Sequence, residues 1–592
     1  MQVSNYSRLF KLYPGERRWL ILSLGLNVVV ASATLAIPAL SAELINNGII
    51  AKNFEYCTNI GFFMLIAALI AGICQVANSA IAVWAAEITS HYLRTQLFAK
   101  IQSLSSGNID RFRSSDLQVR LTTDAQNVKT AMLQSVNYLL QAPLLLIGSI
   151  IITHFMAPSL TWIMIVILLF FFILLIIYFR IVEPAFSRKQ QQIDRVNKAL
   201  KETLTGIRVV KAFVRQKFEI AKFENATEDL RIAACVPQNV MAYLIPTMFA
   251  ITILGFAAIY YTGGVQVLEG TGLSIGDVTS VAQYILILMM PLLIIAIVLP
   301  FITQANSSLT RIFEILDSVP EISNPVNPAQ LDPSRLKGRV VFENVSLNYR
   351  NARGDLEGEV LKNINLVAEP GETIGLLGAT GSGKTSLISL IPRFYDVTRG
   401  RVTIDGTDVR SIPLDVLRSI VSVCLQESVL FSGTIRDNIK FGTPDLTDDD
   451  MLAASIAADA DNFVKNIPEE YDGKIARRGS NFSGGQKQRL AISRALAQKP
   501  KILILDDSTS ACDVATEAQI QDEIVKIMAT TTKFIVAQRI SSVLTADKII
   551  LLDNATIVAT GTHSELLASN SLYREIYESQ LGEGLKRGGD NS

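Results

Sequence analysis

Two short motifs in the second half of the chain contain residues that could bind a nucleoside triphosphate and act on it. The stretch Gly378–Thr385 fits the phosphate-binding pattern G-x-x-x-x-G-K-[ST] without a mismatch. The apolar run Leu503–Leu505 ends in Asp506 and Asp507. Glycines let backbone N–H groups converge on phosphates, and a hydroxyl with a strand-end aspartate can hold Mg²⁺. These motifs predict a site for ATP and Mg²⁺.

The residues of the phosphate loop divide the work by chemistry. We expect Lys384 to meet the β- and γ-phosphates, Thr385 to ligate Mg²⁺ and Asp506 to support the metal. The predicted ATP-binding residues of this loop are Gly378, Thr380, Gly381, Ser382, Gly383, Lys384, Thr385 and Ser386. Nucleotide hydrolases usually have a glutamate where this chain has Asp507. We therefore expect it to bind ATP and to cut it slowly at its own site.

A second stretch could also bind an anion. Ser483, Gly484, Gly485 and Gln486 precede an alanine-rich segment that we expect to be a helix. Glycines and a serine at a helix start favour negative charge. One ATP does not obviously need two such surfaces from one chain.

The composition excludes several classes of protein. Of the 592 residues 49% are hydrophobic and only 18% are charged, which is low for a soluble protein of this size. The net charge is zero, so nothing favours a nucleic-acid partner. The five cysteines are scattered and form no C-x-x-C pair. Cysteine metal binding and a disulfide framework are therefore not expected.

The first half contains six stretches without charge that are long enough to cross a bilayer as helices. The alternative, buried helices of a large soluble protein, does not account for six such runs in one half. The predicted spans are Trp19–Ala42, Tyr56–Ala86, Thr130–Thr153, Phe155–Phe179, Ile232–Leu268 and Val278–Thr310.

The loops between the spans predict the orientation. Twelve lysines and arginines lie between Arg180 and Arg231, and six more lie between spans two and three, whereas the opposite loops have almost none. The positive-inside bias places both termini and the second half of the chain on the cytoplasmic side of a multi-pass protein of the cell (plasma) membrane. The segment Ile193–Phe223 has apolar residues at helical spacing. It is either a solvated hairpin or a rod that transmits motion.

The second half has the pattern of a soluble α/β domain, with short buried strands followed by glycine turns. Four prolines between Asp317 and Ser334 indicate a linker. The predicted divisions are a transmembrane domain at 1–316, a linker at 317–337, a nucleotide-binding domain at 338–583 and a C-terminal tail at 584–592.

Together these motifs resemble the ATP-binding cassette (ABC) exporters, and the resemblance covers nearly the whole chain. That cassette has a phosphate loop, a glutamine loop, an L-S-G-G-Q signature, a strand ending in Asp-Glu, a D-loop and a switch histidine. The matching positions are Gly378–Thr385, Gln426, Ser483–Gln486, Asp506 with Asp507, Asp513 and Gln538, and Tyr349 stands where the family stacks a ring on adenine. The resemblance implies a membrane α plus α/β fold, in which a type IV exporter domain of six helices is fused to a P-loop cassette.

The resemblance also implies a partner. In that family two cassettes face each other head to tail, so each ATP is held by one phosphate loop and the other chain's signature. The metal ligands implied here are Thr385, Gln426 and Asp506. Short coupling helices are expected near Phe112–Leu121 and Phe213–Lys222, the second of which grips the partner's cassette.

Two catalytic positions depart from the family pattern. Asp507 replaces the glutamate that orients the attacking water, and Gln538 replaces the switch histidine. With an identical partner both sites would be poor, so we expect a second, non-identical half-transporter, as in heterodimeric bacterial multidrug exporters with one degenerate subunit. The alternative is a homodimer that tolerates aspartate.

The expected function is an ATP-hydrolysing translocase that exports hydrophobic or amphipathic small molecules across the lipid bilayer. Span six mixes methionine and polar residues, which suits promiscuous cargo, although such residues also serve packing and kinks. Two further functions stay open: a lipid or peptide exporter half, and a nucleotide-sensing regulatory subunit. The intact signature favours the exporter, because a pure sensor need not complete a hydrolytic site.

Overall fold

The computed structural model describes residues 5–9, 17–350, 356–443 and 445–582. The tail predicted at 584–592 lies outside these residues. The chain forms two compact units, one comprising Met1–Lys100 with Leu117–Asp317 and the other Ile101–Asp116 with Ser318–Ser592. The segment Ile101–Asp116, which the sequence places within the transmembrane domain, thus clusters with the second unit. The domain boundaries given above remain predictions.

The first half of the chain is helical. Its apolar sequences must pair their backbone groups internally in lipid, and only a helix does so within one segment. In chain order the helices are α1 (Arg17–Glu43), α2 (Phe54–Ser103), α3 (Ser106–Arg111), α4 (Ser114–Val119), α5 (Ala125–Gln134), α6 (Gln141–Met156), α7 (Thr161–Thr205), α8 (Ile207–Ala212), α9 (Gln216–Leu268) and α10 (Ile275–Leu316).

Six helical segments of the described chain are long and apolar enough to cross a membrane. They are Arg18–Ile50, Phe54–Ser103, Ser114–Met156, Pro158–Thr205, Gln216–Leu268 and Ile275–Leu316. The third is continuous through α4, α5 and α6 because π-helical turns at Arg120–Asp124 and Ser135–Leu139 join them. The six-span prediction is confirmed, and α7 and α9 continue well past their apolar parts.

Short helices lie in the two long connections between the membrane helices. The first of these connections contains α3 and α4, and α4 falls inside the expected Phe112–Leu121. In the second connection the short helix α8 precedes the expected Phe213–Lys222, and Gln216 already begins α9. Gly206, which ends α7, sets this break.

The second unit contains a mixed six-stranded sheet and a smaller antiparallel sheet. The strands are β1 (Val340–Arg350), β2 (Leu356–Ala368), β3 (Thr373–Leu377), β4 (Arg399–Ile404), β5 (Thr407–Asp408), β6 (Val421–Cys424), β7 (Gly433–Thr434), β8 (Lys474–Ile475), β9 (Ile502–Asp506), β10 (Thr532–Val536), β11 (Lys548–Asp553) and β12 (Thr556–Gly561). The order in the large sheet is β12-β11-β3-β10-β9-β6, and the order in the smaller one is β2-β1-β4-β5.

Helices surround these sheets, some in contact with strands of the large sheet and others packed on neighbouring helices. They are α11 (Lys384–Ser389), α12 (Leu414–Ile420), α13 (Ile435–Ile439), α14 (Asp448–Ala457), α15 (Asp461–Val464), α16 (Gly484–Ala497), α17 (Val514–Ile527), α18 (His563–Ser569) and α19 (Ser571–Tyr577). Strands β3 and β9 are buried along their whole length, as continuous apolar runs in a parallel sheet should be.

The strand order brings the predicted site residues to one edge of the sheet. Strand β10 pairs in parallel with both β3 and β9, and β6 pairs in parallel with β9. In such sheets ligands bind beyond the carboxyl ends of the strands. The phosphate loop follows β3, Asp506 ends β9, Gln538 follows β10 and Gln426 follows β6.

Candidate nucleotide site

The phosphate loop has the backbone shape that its glycines permit. Gly381 and Gly383 have φ of +85° and +104°, values that L side chains rarely adopt. A Cβ on Gly383 would lie 2.8 Å from the carbonyl oxygen of Val360. Gly383 therefore could not be replaced without moving β2, and α11 begins directly after it.

Lys384 is held inside this loop. Its side chain is 8% exposed, and Nζ donates hydrogen bonds of 2.8 Å to the carbonyl oxygens of both Gly378 and Ala379. Burial lowers the pKa of Lys384, while Asp506 and Asp507 act in the opposite direction. The ammonium is thus fixed at the mouth of the loop.

Thr385 and Asp506 meet as a metal pair would require. The Thr385 hydroxyl donates to the Asp506 carboxylate at 3.0 and 3.2 Å. Asp506 is only 2% exposed, and burial raises its pKa although the Thr385 hydrogen bond opposes the shift. Both line one cavity of about 190 Å³ together with Gln426. A hydroxyl, a carboxylate and an amide oxygen are hard ligands of the kind Mg²⁺ prefers, so this donor set fits the ion.

One carboxylate oxygen of Asp507 accepts hydrogen bonds from two side-chain amides. Gln538 Nε2 donates to Asp507 Oδ2 at 3.1 Å, and Gln426 Nε2 donates to it at 3.4 Å. The backbone of Asp507 has φ of +48°, a conformation that aspartate tolerates better than most residues. Burial raises the pKa of Asp507, which the Gln426 hydrogen bond and Lys384 partly oppose.

Tyr349 and Ser386 are also brought together. The Tyr349 hydroxyl donates to Ser386 Oγ at 2.9 Å, and its ring packs edge-on against Tyr395 with centroids 5.0 Å apart. Tyr395 in turn hydrogen-bonds Asp110 of α3, and both tyrosines line a cavity of about 680 Å³. Sequence reasoning missed Tyr395, because no motif marks it.

The signature residues form the start of α16. Ser483 is the N-cap: its hydroxyl accepts from the Gln486 N–H at 3.3 Å, and Gln486 Oε1 accepts from the Ser483 N–H at 2.9 Å. Ser483 and Gly484 are exposed, and neither lines the cavity that holds Lys384. Within one chain the structure thus keeps the two anion-binding surfaces apart.

Gln488, a residue that the sequence reasoning did not single out, joins the signature helix to the D-loop. Its side chain is buried, donates to Ser510 Oγ at 3.0 Å and accepts from the Ala511 N–H at 2.8 Å. Asp513 then caps α17 by accepting from the Thr516 N–H at 3.1 Å. The only sign of this link in the sequence is that Gln488 lies two residues after Gln486.

Comparison with known proteins identifies the architecture. Residues 20–292 match the family described as ABC transporter transmembrane region, and residues 361–510 match the family described as ABC transporter. The chain is 33% identical over 562 residues to "Uncharacterized ABC transporter ATP-binding protein YfiB" of Bacillus subtilis (strain 168), covering 94% of this chain and 96% of that protein. This chain belongs to the ABC transporter family.

Two further comparisons, one of sequence and one of fold, give similar proteins. This ABC transporter is 29% identical over 578 residues to "ATP-dependent lipid A-core flippase" of Syntrophus aciditrophicus (strain SB), covering 98% of this chain and 95% of that protein. It shares a fold with "Structure of a bacterial Atm1-family ABC exporter with ATP bound", at a TM-score of 0.79 and 23% identity, covering 96% of this chain and 99% of that one.

These findings confirm the predicted fold class. The chain has a type IV exporter fold, with six membrane helices and a nucleotide-binding domain on one polypeptide. It is therefore a multi-pass membrane protein, and its cassette implies ATP binding and ATP-driven transport. The roles of the individual site residues remain predictions.

Proposed function

We propose that this chain is one half of a heterodimeric, ATP-driven exporter whose own ATP site hydrolyses slowly. The observation that carries this proposal is the 3.1 Å hydrogen bond from Gln538 to Asp507. These two residues stand where the family has a histidine and a glutamate. The groups that bind ATP are retained, whereas the groups that act on the γ-phosphoryl are altered. Tight occupancy with slow turnover follows.

Asp507 is a poor general base for geometric reasons. Aspartate is one methylene shorter than glutamate, which sets its carboxylate back by about 1.5 Å. Its Oδ2 already accepts two glutamine amides, so an attacking water must compete with them. A misplaced general base typically lowers the rate by about 10²–10⁴-fold. Gln538 can donate a hydrogen bond but cannot carry a proton or a positive charge.

The binding side of the same site is complete. Lys384 would exchange its two loop carbonyl partners for the β- and γ-phosphates, and the N–H groups of Gly381–Thr385 would face the phosphates. Thr385, Gln426 and Asp506 would hold Mg²⁺, which neutralises charge on the phosphates. Tyr349, on the wall of the 680 Å³ cavity, would stack on adenine.

The exposed signature would complete the partner's site. Ser483, Gly484, Gly485 and Gln486 begin a 14-residue helix whose N-terminus favours an anion. Gln488 ties this helix to the D-loop at Ser510 and Ala511. An intact signature beside a weakened own site supports a non-identical partner with a true Asp-Glu strand.

The turn between α8 and α9 has the surface that docking on the partner's cassette needs. Phe213 and Val214 are 75% and 78% exposed, which is unusual for adjacent apolar residues outside the lipid-facing spans. Val214 has φ of +54°, a strained conformation for a β-branched residue. Strained, exposed apolar turns are typical of functional contacts.

Cargo and location follow from the membrane half. We propose that the protein lies in the bacterial cell membrane with both termini in the cytoplasm, and that it exports amphipathic small molecules. Span six supports two readings: Tyr284 and Met289 are buried as packing residues, whereas Met290 and Gln304 are exposed. A second candidate is lipid export, which the similarity to a protein named as a lipid A-core flippase favours.

The test compares the chain alone with the chain beside its partner. We would purify the full-length chain by itself, then co-express it with a second ABC half-transporter that has a true Asp-Glu strand, and measure ATPase activity with and without amphipathic drugs or lipids. The pair should show cargo-stimulated activity at least about tenfold above the single chain. Robust stimulated turnover by a verified homodimer would contradict the proposal.

A further inference from the structure

The segment after α19 contacts the loop that carries Gln538. One π-helical turn, Glu578–Gly582, follows α19. Within it the Gln580 side chain donates from Nε2 to the Gln538 carbonyl oxygen at 3.1 Å, and its Oε1 accepts from the Ile540 N–H at 2.7 Å. One amide therefore binds the backbone on both sides of Arg539, as a neighbouring strand would.

These hydrogen bonds act on the residue that contacts Asp507. Gln538 lies after β10, where the backbone leaves the sheet: Ala537 still donates to Leu376 of β3 at 3.1 Å, and Ile540 begins a 3₁₀ turn. Between these points the backbone carbonyl of Gln538 is held by Gln580, and its side chain is held by Asp507.

An open cavity lies beside the loop that carries Gln538. This cavity has a volume of about 310 Å³ and lies between the phosphate loop and α19. It is lined among others by Gly378, Ala379, Gln538, Ile576 and Gln580. Because Gln538 lines this open cavity, it has fewer packing partners on that side, and the hydrogen bond from Gln580 restrains its backbone.

We propose that Gln580 is a positioning residue that holds the loop from Ala537 to Ile540, so that Gln538 stays against Asp507 and the γ-phosphate of bound ATP. This inference rests on the proposed ATP site. It gives the C-terminal segment a role in setting how long ATP stays bound. Without the hydrogen bonds from Gln580, Gln538 becomes mobile beside the cavity. Contacts to the γ-phosphate then weaken, while contacts to the rest of the nucleotide persist.

The test uses the purified full-length chain and two fluorescent nucleotides, mant-ATP and mant-ADP, whose dissociation is followed by stopped flow with Mg²⁺ present. Gln580→Ala should accelerate mant-ATP dissociation by roughly three- to tenfold, the effect of losing one ordinary hydrogen bond between Gln538 and the bound nucleotide. Mant-ADP, which lacks the γ-phosphate, should dissociate at an unchanged rate. Gln580→Glu keeps the acceptor for Ile540 and should show a smaller effect.

A matched control is a glutamine that contacts the 3₁₀ turn beginning at Ile540. Gln521 of α17 donates to the Ser542 carbonyl oxygen at 3.0 Å, so Gln521→Ala also removes a glutamine hydrogen bond to this region. It should leave mant-ATP dissociation unchanged. In a Gln538→Ala background, Gln580→Ala should add nothing, because it acts through Gln538.

The outcomes separate the two proposals. Equal acceleration of both nucleotides, an equal effect of Gln521→Ala, or additivity with Gln538→Ala would overturn the role of Gln580. If the unmodified chain binds mant-ATP no better than its Lys384→Ala variant, the proposed ATP site itself fails, whatever Gln580 does.

Discussion

Gln538 Nε2 lies 3.1 Å from Asp507 Oδ2, and the hydrogen bond joins the two residues at which this chain departs from the usual cassette. Neither departure disturbs the fold, because Asp506 and Val536 keep their pairing between β9 and β10. The two replacements are complementary: the shorter carboxylate is reached by a neutral amide. A histidine at position 538 would instead offer this carboxylate a group that can carry a proton.

Restoring both residues should speed hydrolysis. Asp507→Glu alone should raise the rate of ATP cleavage at this site by no more than about tenfold, because Gln538 still cannot take up a proton or carry a positive charge. Asp507→Glu with Gln538→His should raise it by about a hundredfold. The measurement is the lifetime of trapped ATP in the assembled transporter. Equal lifetimes before and after the double change would show that these positions do not set the rate.

Substitutions in the phosphate loop and in the signature should have different effects on the ATPase activity of the assembled pair. A bulky residue at Gly484 should remove most ATPase activity, because it blocks the approach of the partner's γ-phosphate. Gly484 is exposed and a Cβ there would lie 3.5 Å from the nearest atom, so Gly484→Ala fits the fold and serves as the control. Lys384→Ala should weaken ATP binding here yet leave measurable turnover.

Steady-state phosphate release at saturating ATP gives the order of these two defects. If Lys384→Ala is the more damaging change, the two surfaces of this chain do not serve different nucleotides.

The magnesium requirement should depend on Thr385. Thr385→Ala removes the hydroxyl that contacts Asp506 at 3.0 Å and should raise the Mg²⁺ concentration needed for half-maximal ATP retention by about tenfold or more. Ser389→Ala is the matched control, because that hydroxyl on the same helix donates only to the Thr385 carbonyl oxygen. Equal Mg²⁺ dependence in the two variants would remove Thr385 from the metal site.

Phe213 should matter for assembly without mattering for folding. Its ring is 75% exposed, so Phe213→Ala should leave thermal unfolding unchanged while lowering cargo-stimulated ATPase about tenfold, as loss of a buried interface anchor does. Leu268→Ala, at the far end of the following helix α9 and 89% exposed, is the control. Unchanged coupling in the Phe213 variant would place the docking surface elsewhere.

Local patterns predicted the architecture well, because they are set by local physics. Six apolar runs must be helices in lipid, and the glycine-lysine loop requires a strand before it and a helix after it. The second short helix was expected near Phe213–Lys222 but lies at Ile207–Ala212, directly after Gly206, which ends α7. Apolar residues at helical spacing run through Ile193–Phe223, so the spacing does not mark where one helix ends and the next begins.

The positioning residues could not be predicted in the same way. Gln488 follows the signature but belongs to no motif, and Gln580 lies in a helical segment that carries none. Their partners lie 22 and 42 residues away along the chain. Such contacts arise only when the strand order brings distant loops together.

Single-turnover hydrolysis by the purified chain alone tests the central claim most directly. The full-length protein would be loaded with ATP and Mg²⁺, freed of excess nucleotide and quenched at increasing times, and bound ATP and ADP would be separated. The account predicts hydrolysis at least about 10²-fold slower than the typical enzyme turnover of about 10 per second, so that roughly nine-tenths or more of the bound nucleotide is still ATP after about one second. Conversion to ADP within about a second would contradict it.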